Sequence, residues 1–245
     1  MKQTSSDRFL NGRVIASQAL TGFRSGLDAV MVAAAVPARA DDEVLELGSG
    51  AGIASLCLAA RIPECRVQGI ELFPELVDLA RSNACVNRVE GRVTFERGDV
   101  FDPSRDWRRD FNHVFCNPPF HDDDGERSPH AGRAVALQDA GTLGDWLAAG
   151  LKRVRAGGTM TAIIRADRIG EALGRLPVFG IVVFPLWPRV GNAAKRVIVQ
   201  ATMNSRAPFV LEAGLVLHDA DGRYTDDADV VLRHAGSLAV GSPRL

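Results

Sequence analysis

The sequence predicts an α/β fold, in which a mostly parallel sheet carries helices on both faces. Three observations lead to this prediction. Short apolar runs alternate with helical patterns through the middle of the chain, which is typical of consecutive β-α-β units. A glycine-rich turn follows the first of these runs, and other polar turns follow the later ones. Open α/β sheets bind ligands at the carboxyl ends of their strands, so these turns are also the first place to look for function.

The predicted elements follow one another in a regular order. Five strands are expected at residues 44–47, 67–70, 93–95, 113–116 and 159–164, each a short apolar run. Helices are expected at residues 26–36, 53–60, 75–86 and 143–154, because apolar residues such as Leu76, Val77 and Ala80 recur at helical spacing. Gly157 and Gly158 are interpreted as the end of the last helix, where a C-terminal glycine belongs.

The second half of the chain carries a weaker pattern. Two more strands are expected at residues 178–184 and 196–202, and the Pro, Trp, Gly and Asn residues between them favour an antiparallel edge pair. With them the sheet has seven predicted strands. Short strands are also expected at residues 14–17 and 214–218. We find no linker, and we expect one domain with residues 1–37 as a lead, 38–204 as the core and 205–245 as C-terminal strands and tail.

Composition limits the class of protein. The chain has 245 residues, of which 46% are apolar and 24% are charged, so it can bury an ordinary core. The formal charge of −1 provides no global basic field, and any RNA contact must therefore come from local patches. The four cysteines lack CxxC spacing and matching histidines, which argues against zinc and against a disulfide framework. Without a signal-like or membrane-spanning run, we expect a cytoplasmic protein.

The turn after the first predicted strand reads Glu46-Leu-Gly48-Ser-Gly50-Ala-Gly52. Glycines let the backbone turn sharply and approach a ligand closely. A nicotinamide-binding loop reads GxGxxG, whereas the spacing here is GxGxG with an acid two positions before the first glycine. The spacing therefore argues against a dehydrogenase.

Two further acids follow the next two strands. Glu71 ends the second strand, where a carboxylate can accept hydrogen bonds from both hydroxyls of a ribose. Asp99 follows the third strand and can accept from an adenine amino group, while the amide of Val100 donates to a ring nitrogen. The alternative roles are helix capping for Glu71 and Asp99, and a surface acid on an edge strand for Glu46.

Taken together, the glycine loop and the acids after the next two strands resemble the cofactor site of class I S-adenosylmethionine-dependent methyltransferases. The resemblance implies a Rossmann-like fold and S-adenosyl-L-methionine as the cofactor. It places the glycine loop at the methionine part of the cofactor, Glu71 at the ribose, and Asp99 and Val100 at the adenine. The methyl group of a sulfonium is a strong electrophile by itself, so we expect no metal.

The segment Asn117-Pro118-Pro119-Phe120 follows the fourth predicted strand. Two consecutive prolines fix φ and remove two backbone donors, so the Pro118 carbonyl can act as an acceptor beside the side-chain oxygen of Asn117. Phe120 offers a face for stacking. Such a group of residues suits methyl transfer to a flat amino group, with a proline-rich turn as the alternative. We predict these four residues to be catalytic, and Asn117 to contact the cofactor as well.

The NPPF sequence resembles the fourth-strand motif of the amino-methylating branch of these enzymes. A segment near the N-terminus makes the resemblance more specific. Residues 22–30 read GFRSGLDAV and are similar to a segment of the bacterial valine-tRNA adenine-N6 methyltransferase family, as are residues 195–201 and 217–225. In that family Arg24, Gly26 and Asp28 would lie near the methionine end of the cofactor. The resemblance implies adenine N6 of a tRNA, in the anticodon loop, as the substrate. Gln138-Asp139 departs from the His-Glu pair that often follows NPPF in that family.

Several alternatives stay open. The chain could methylate guanine N2 of ribosomal RNA or N5 of a protein glutamine, although the glutamine enzymes usually have Tyr as the fourth motif residue and a separate helical N-terminal domain. A non-catalytic cofactor-binding module would be marked by a degenerate NPPF motif. Arg165 is the favoured RNA-binding cation because it follows the fifth strand. Other candidates, each more often part of a solvated face, are Arg105, Arg108, Arg109, Lys152, Arg153, Arg155, Arg168, Lys195 and Arg196.

Overall fold

The computed structural model describes residues 4–21, 24–101, 111–119 and 141–241. The chain opens with two strands, β1 (Thr4–Phe9) and β2 (Val14–Ala19), which pair as an antiparallel hairpin separate from the main sheet. The strand expected at residues 14–17 is therefore present and longer, whereas β1 was not predicted. Leu10, Asn11 and Gly12 all have positive φ in the turn between the two strands.

The main sheet has nine strands in the described part of the chain, seven of them long. Their order across the sheet is β10-β8-β9-β7-β6-β3-β4-β5, and β11 pairs with β8 as well. The strands are β3 (Glu43–Leu47), β4 (Arg66–Glu71), β5 (Val93–Arg97), β6 (Phe111–Cys116), β7 (Val154–Arg165), β8 (Ile181–Trp187), β9 (Arg196–Thr202), β10 (Val210–Leu211) and β11 (Leu215–Val216).

Strand directions agree with the predicted sheet. The strands β5, β4, β3, β6 and β7 are parallel neighbours. The strand β9 runs antiparallel between β7 and β8, so the expected antiparallel pair is confirmed. Two short strands, β10 and β11, extend the predicted seven along the outer side of β8.

Helices cover both faces of the sheet, as expected. They are α1 (Leu27–Ala35), α2 (Ile53–Arg61), α3 (Pro74–Val86), α4 (Leu143–Leu151), α5 (Ile169–Leu173) and α6 (Asp226–His234). Successive strand residues point to opposite faces: Val44 lies in one buried apolar cluster with α1, α2, α3 and α6, and Leu45 lies in the other with α4 and α5. No helix in the described ranges is long and apolar enough to cross a membrane.

Several predictions for single elements are wrong. The strand expected at residues 178–184 lies at Ile181–Trp187, three residues later. Helix α4 ends at Leu151, and β7 begins at Val154, so Gly157 and Gly158 lie inside a strand instead of closing the helix. A β-carbon at Gly158 would collide with the Asn112 backbone oxygen of β6, which explains the glycine. The predicted C-terminal strands and tail contain helix α6, whose N-cap Thr225 accepts from the Ala228 amide.

Candidate active site

The glycine loop between β3 and α2 is a tight turn that only glycine accommodates. Gly48, Gly50 and Gly52 have φ of +69°, +55° and +83°. The amides of Gly48 and Ser49 both donate to the Ile70 carbonyl of β4, at 2.9 and 3.0 Å. The predicted turn is therefore anchored to the neighbouring strand at the carboxyl edge of the sheet.

Close packing adds a second requirement at two of the three glycines. A β-carbon at Gly48 would lie 2.7 Å from the ring of Trp146, and one at Gly52 would lie 2.5 Å from the ring of Phe95. A β-carbon at Gly50 would meet nothing within 4 Å. The loop thus packs tightly at its two ends and borders open space at its centre, where a ligand can approach the backbone.

Substituting alanine for Gly52 is expected to reduce the free energy of unfolding by about 2–5 kcal/mol, because the left-handed backbone and the overpacking against Phe95 both oppose a β-carbon. Gly91→Ala is the matched control, since a β-carbon there meets nothing within 4 Å and φ is not positive. Its effect should stay within about 0.5 kcal/mol. Urea titrations of both variants measure this difference, and equal destabilisation would contradict the packing argument.

The carboxylate of Glu71 is fixed at the end of β4. One of its oxygens accepts from the Gly50 amide at 2.8 Å, and the other accepts from the Phe73 amide at 3.0 Å. The side chain is buried. Glu71 therefore connects the centre of the glycine loop to the start of α3, and its charge lies where open space borders the loop.

Glu46 is buried more deeply than contact with a ligand would require. It is only 4% exposed, and it accepts from the amide and the hydroxyl of Ser55 in the first turn of α2. Burial, opposed by the Ser55 bonds, raises the pKa of Glu46 to about 8. The structure thus places Glu46 beneath the glycine loop, joined to α2. Its predicted contact with the cofactor stays a prediction.

The raised pKa of Glu46 makes stability depend on pH. From its ordinary pKa of 4.5 to about 8, the folded state keeps a proton that the unfolded state has lost, so stability falls as pH rises through this range. Between pH 5 and pH 8.5, the free energy of unfolding of wild type should fall by up to about 4 kcal/mol relative to that of Glu46→Gln. The expected slope is about 1.4 kcal/mol per pH unit. Urea denaturation at both pH values measures this loss. Parallel stability curves would show that Glu46 ionises freely in the folded protein.

Asp99 and Val100 follow β5 with different environments. The exposed Asp99 accepts from the Phe101 amide at 2.8 Å, whereas Val100 is buried and its carbonyl accepts from Arg153. Next to them, the rings of Phe101 and Trp146 meet edge to face with centroids 5.6 Å apart. Trp146 also packs on Gly48, so it extends from the glycine loop to the segment after β5. Sequence reasoning missed this pair, because only the fold joins residues so far apart in the chain.

The side-chain oxygen of Asn117 is a buried polar atom at the end of β6. Asn117 directly follows β6, and within the described residues its buried Oδ1 has no hydrogen-bond partner. Such an oxygen costs about 1–3 kcal/mol in a folded protein. Pro118 beside it is buried and Pro119 is half-buried, while Phe120 and Gln138-Asp139 lie outside the described residues. An unsatisfied acceptor at the carboxyl edge of the sheet is suited to receive a donor from a substrate.

The segment before α1 is held by the hairpin and by β9. Arg24 pairs with Asp7 of β1 at 2.6 Å, and Asp28 pairs with Arg196 of β9 at 3.0 Å. Gly26 is the N-cap of α1 and has space around it, and a β-carbon there would meet nothing within 4 Å. Asp28 is thus placed at the carboxyl edge, beside the end of β7, and the contact of all three residues with the cofactor stays a prediction.

Asn83 on α3 joins the hairpin to the glycine loop. It is only 1% exposed, and its amide nitrogen donates to the carbonyls of Ala51 and Ser17, at 2.9 and 3.0 Å. Its oxygen accepts from the Ser17 amide at 2.8 Å. Sequence reasoning missed Asn83, and the signal was an uncharged polar residue beside the apolar positions of α3. The residue fixes β2 against the loop that the site depends on.

The candidate RNA-binding cations fall into two groups. Arg153 is buried and donates to the carbonyls of Ala149 and Val100, so it serves the fold rather than a phosphate. Arg165 pairs with Asp167 at 2.5 Å on the surface at the end of β7. Arg165 therefore stays a candidate, while Arg105, Arg108 and Arg109 lie outside the described residues.

The comparisons with known proteins agree with this geometry. The sequence model of the family described as "Methyltransferase small domain" matches residues 27–143. The chain is 28% identical to the tRNA1(Val) (adenine(37)-N6)-methyltransferase of Aeromonas hydrophila, over 82% of this chain and 85% of that protein. It is 27% identical to the protein of that description in Actinobacillus pleuropneumoniae, over 81% of this chain and 84% of the relative.

A solved structure confirms the fold. An Agrobacterium tumefaciens protein described as a predicted O-methyltransferase superposes with a TM-score of 0.73 at 23% identity. The match covers 88% of this chain and 100% of the other. Together with the strand order, it confirms the Rossmann-like α/β fold that the alternating pattern predicts.

Proposed function

We propose that this chain is an S-adenosylmethionine-dependent methyltransferase that transfers the methyl group to N6 of an adenine in the anticodon loop of a tRNA. The observation that carries the proposal is the buried Oδ1 of Asn117, after β6, which has no hydrogen-bond partner in the part of the chain that the structure describes. The two relatives described as tRNA1(Val) (adenine(37)-N6)-methyltransferases support the choice of adenine and of tRNA.

The residues at the carboxyl edge fit the cofactor. The buried carboxylate of Glu71 can accept from ribose hydroxyls, and the backbone at Gly50 borders open space. The exposed carboxylate of Asp99 can accept from an adenine amino group. When bound there, S-adenosylmethionine supplies an electrophilic methyl group on a sulfonium.

Asn117 and Pro118 would prepare the acceptor nitrogen. The lone pair of an adenine amino group is delocalised into the ring, which makes this nitrogen a poor nucleophile. Two acceptors, Asn117 Oδ1 and the Pro118 carbonyl, can hold both N–H bonds and favour a pyramidal nitrogen. Positive charge would grow on the nitrogen as its bond to the methyl carbon forms and the carbon–sulfur bond breaks, so these oxygens would stabilise the transition state more than the ground state. The sulfur would leave as a neutral thioether, and the methylated nitrogen would then lose one proton to solvent. Correct positioning of the two reactants can contribute about 7–11 kcal/mol.

A loop base suits this site better than a paired base. The target nitrogen must reach the carboxyl edge of the sheet, so the base has to leave its stack. An unpaired base of a tRNA loop is partly unstacked already and costs less to extrude than a duplex base. Phe120 would stack on the extruded base, as the sequence predicts.

The test is transfer of labelled methyl from S-adenosylmethionine to total tRNA that lacks modifications, followed by nucleoside digestion and chromatography. We expect the label in N6-methyladenosine, and we expect Asn117→Ala to abolish it. Parallel reactions contain ribosomal RNA or a protein extract. Label in N2-methylguanosine or in protein glutamine, with none in tRNA, would replace the proposed substrate while keeping the chemistry.

A further inference from the structure

A groove of about 420 Å³ lies between the β1–β2 hairpin, the start of α1 and the end of α6. A volume of this order is within the range of small-ligand sites. The residues that line it include Arg8, Phe9, Gly26, Leu27, Tyr224 and Arg233. None of them takes part in the methyl transfer proposed above, except that Gly26 is predicted to lie near the cofactor.

The groove opens at the same edge of the sheet as Asn117. Gly26 and Leu27 line it at the start of α1, and in the next residue Asp28 pairs with Arg196 at 3.0 Å. Arg196 is in turn the register partner of Arg165 at the carboxyl end of β7. The strand beside β7 is β6, which leads into Asn117. A polymer bound at Asn117 can therefore continue along this edge to the groove.

Two residues that line the groove, Tyr224 and Arg233, belong to a stacked group of side chains. The rings of His218 and Tyr224 stack with centroids 4.9 Å apart and planes inclined by 29°. The guanidinium carbon of Arg233 lies over the Tyr224 ring, 5.8 Å from its centroid, and Asp229 holds this guanidinium at 2.9 Å. Guanidinium planes and aromatic rings are the surfaces on which unpaired nucleobases stack.

Positive charge lies beside this group. Arg8 lines the groove and is exposed, and its side chain has no hydrogen bond or ion pair with any described residue. Arg13 of the same hairpin donates to the His234 carbonyl at the end of α6, at 3.2 Å. Asp229 carries a nearby negative charge, but Arg233 and His234 both contact its carboxylate, at 2.9 and 3.4 Å. The groove thus combines a stacking surface with cations that suit a phosphate.

We propose that this groove binds an unpaired nucleotide of the RNA substrate, further along the loop from the methylated adenine. Its base stacks on the group formed by His218, Tyr224 and Arg233, and its phosphate lies near Arg8. The inference rests on the proposed function, since it requires an RNA substrate at Asn117. It predicts that the affinity for tRNA, and not the affinity for S-adenosylmethionine, depends on this groove.

Three variants separate the contributions of stacking and charge. Arg233→Lys keeps the charge but removes the plane, and Arg8→Gln removes a charge from an exposed position. Arg66→Gln is the matched control, because Arg66 is also exposed but lies at the start of β4, on the opposite edge of the sheet. The measurements are the Kd for tRNA at several salt concentrations, the Kd for S-adenosylmethionine, and kcat at saturating tRNA.

Arg233→Lys should raise the Kd for tRNA by about tenfold, which corresponds to the loss of one stacking contact. Arg8→Gln should reduce the slope of log Kd against log salt by about one. The affinity for S-adenosylmethionine and kcat should match those of Arg66→Gln. If wild type methylates tRNA but both variants bind it as Arg66→Gln does, the groove is not a nucleotide site. If wild type transfers no methyl group to tRNA, the proposed function fails, and the inference fails with it.

Discussion

Replacing Asn117 by alanine is expected to lower kcat by about a hundredfold to a thousandfold, the effect of removing one group that stabilises developing charge. The affinity for S-adenosylmethionine should change far less. Because Oδ1 of Asn117 is buried without a partner among the described residues, its removal should not destabilise the protein. Steady-state methyl transfer and thermal denaturation of the same preparation measure both effects. The expected outcome is therefore an inactive variant at least as stable as wild type.

The opposite end of the same strand provides the control. Asn112 near the start of β6 accepts from the Glu43 amide at 3.0 Å and donates to Asp42 at 2.6 Å. Asn112→Ala should therefore lower stability, by about 1–3 kcal/mol, and spare kcat at a temperature where the variant is folded. If Asn117→Ala retains full kcat, or if Asn112→Ala loses activity to the same degree while folded, Asn117 has no special role.

The parts of the site that were predictable are those that local chemistry dictates. Gly48, Gly50 and Gly52 were recognisable because a strand-to-helix turn of this kind requires positive φ, and only glycine provides it at low cost. Glu71 was recognisable because it ends an apolar strand, and parallel strands bring their carboxyl ends to one edge. The parallel pairing of the central strands likewise follows from the alternation of elements, whereas their order across the sheet was not predicted.

The parts that were not predictable depend on contacts between distant segments. Trp146 packs on Gly48, and Asn83 connects Ser17 to Ala51, but neither residue stands in a motif. Arg153 belongs to a basic run in the sequence, yet the fold buries it against backbone carbonyls. Sequence patterns report the face and the end of an element, whereas the partner of a side chain depends on which elements the fold brings together.

Helix α6 was missed for a different reason. Its local signals are strong, since Thr225 is an N-cap and Asp226, Asp227 and Asp229 lie in its first turn. The strand-like run before it and its short length favoured an extended tail instead. The helix buries Ala228 and Val231 against α1, and this packing supplies the stability that nine residues lack alone. The groove proposed as a nucleotide site exists only because α6 forms there.

Glu71→Gln is expected to raise the Kd for S-adenosylmethionine by about tenfold to a hundredfold, the equivalent of one charged hydrogen bond. The substitution keeps the shape of the side chain but removes its charge. It also directs an amide NH₂ toward one of two backbone donors, Gly50 N at 2.8 Å or Phe73 N at 3.0 Å. The glycine loop should therefore lose part of its anchor as the ribose loses an acceptor. Calorimetric titration with S-adenosylhomocysteine and with S-adenosylmethionine measures the change.

The control for Glu71 is Glu64→Gln, which removes the same charge from an exposed position before β4. The Kd of this variant for S-adenosylmethionine should equal that of wild type. A solvated carboxylate at the amino edge of the sheet is far from the predicted cofactor site, and salt screens its charge. At saturating cofactor, Glu71→Gln should regain most of the wild-type kcat, whereas Asn117→Ala should not. This contrast follows from the proposed roles. Glu71 would contact the cofactor in both the ground state and the transition state, while Asn117 would contact the nitrogen that becomes charged only as the methyl group is transferred. An equal loss of kcat in Glu71→Gln and Asn117→Ala at saturating cofactor would contradict this division of roles between cofactor binding and methyl transfer.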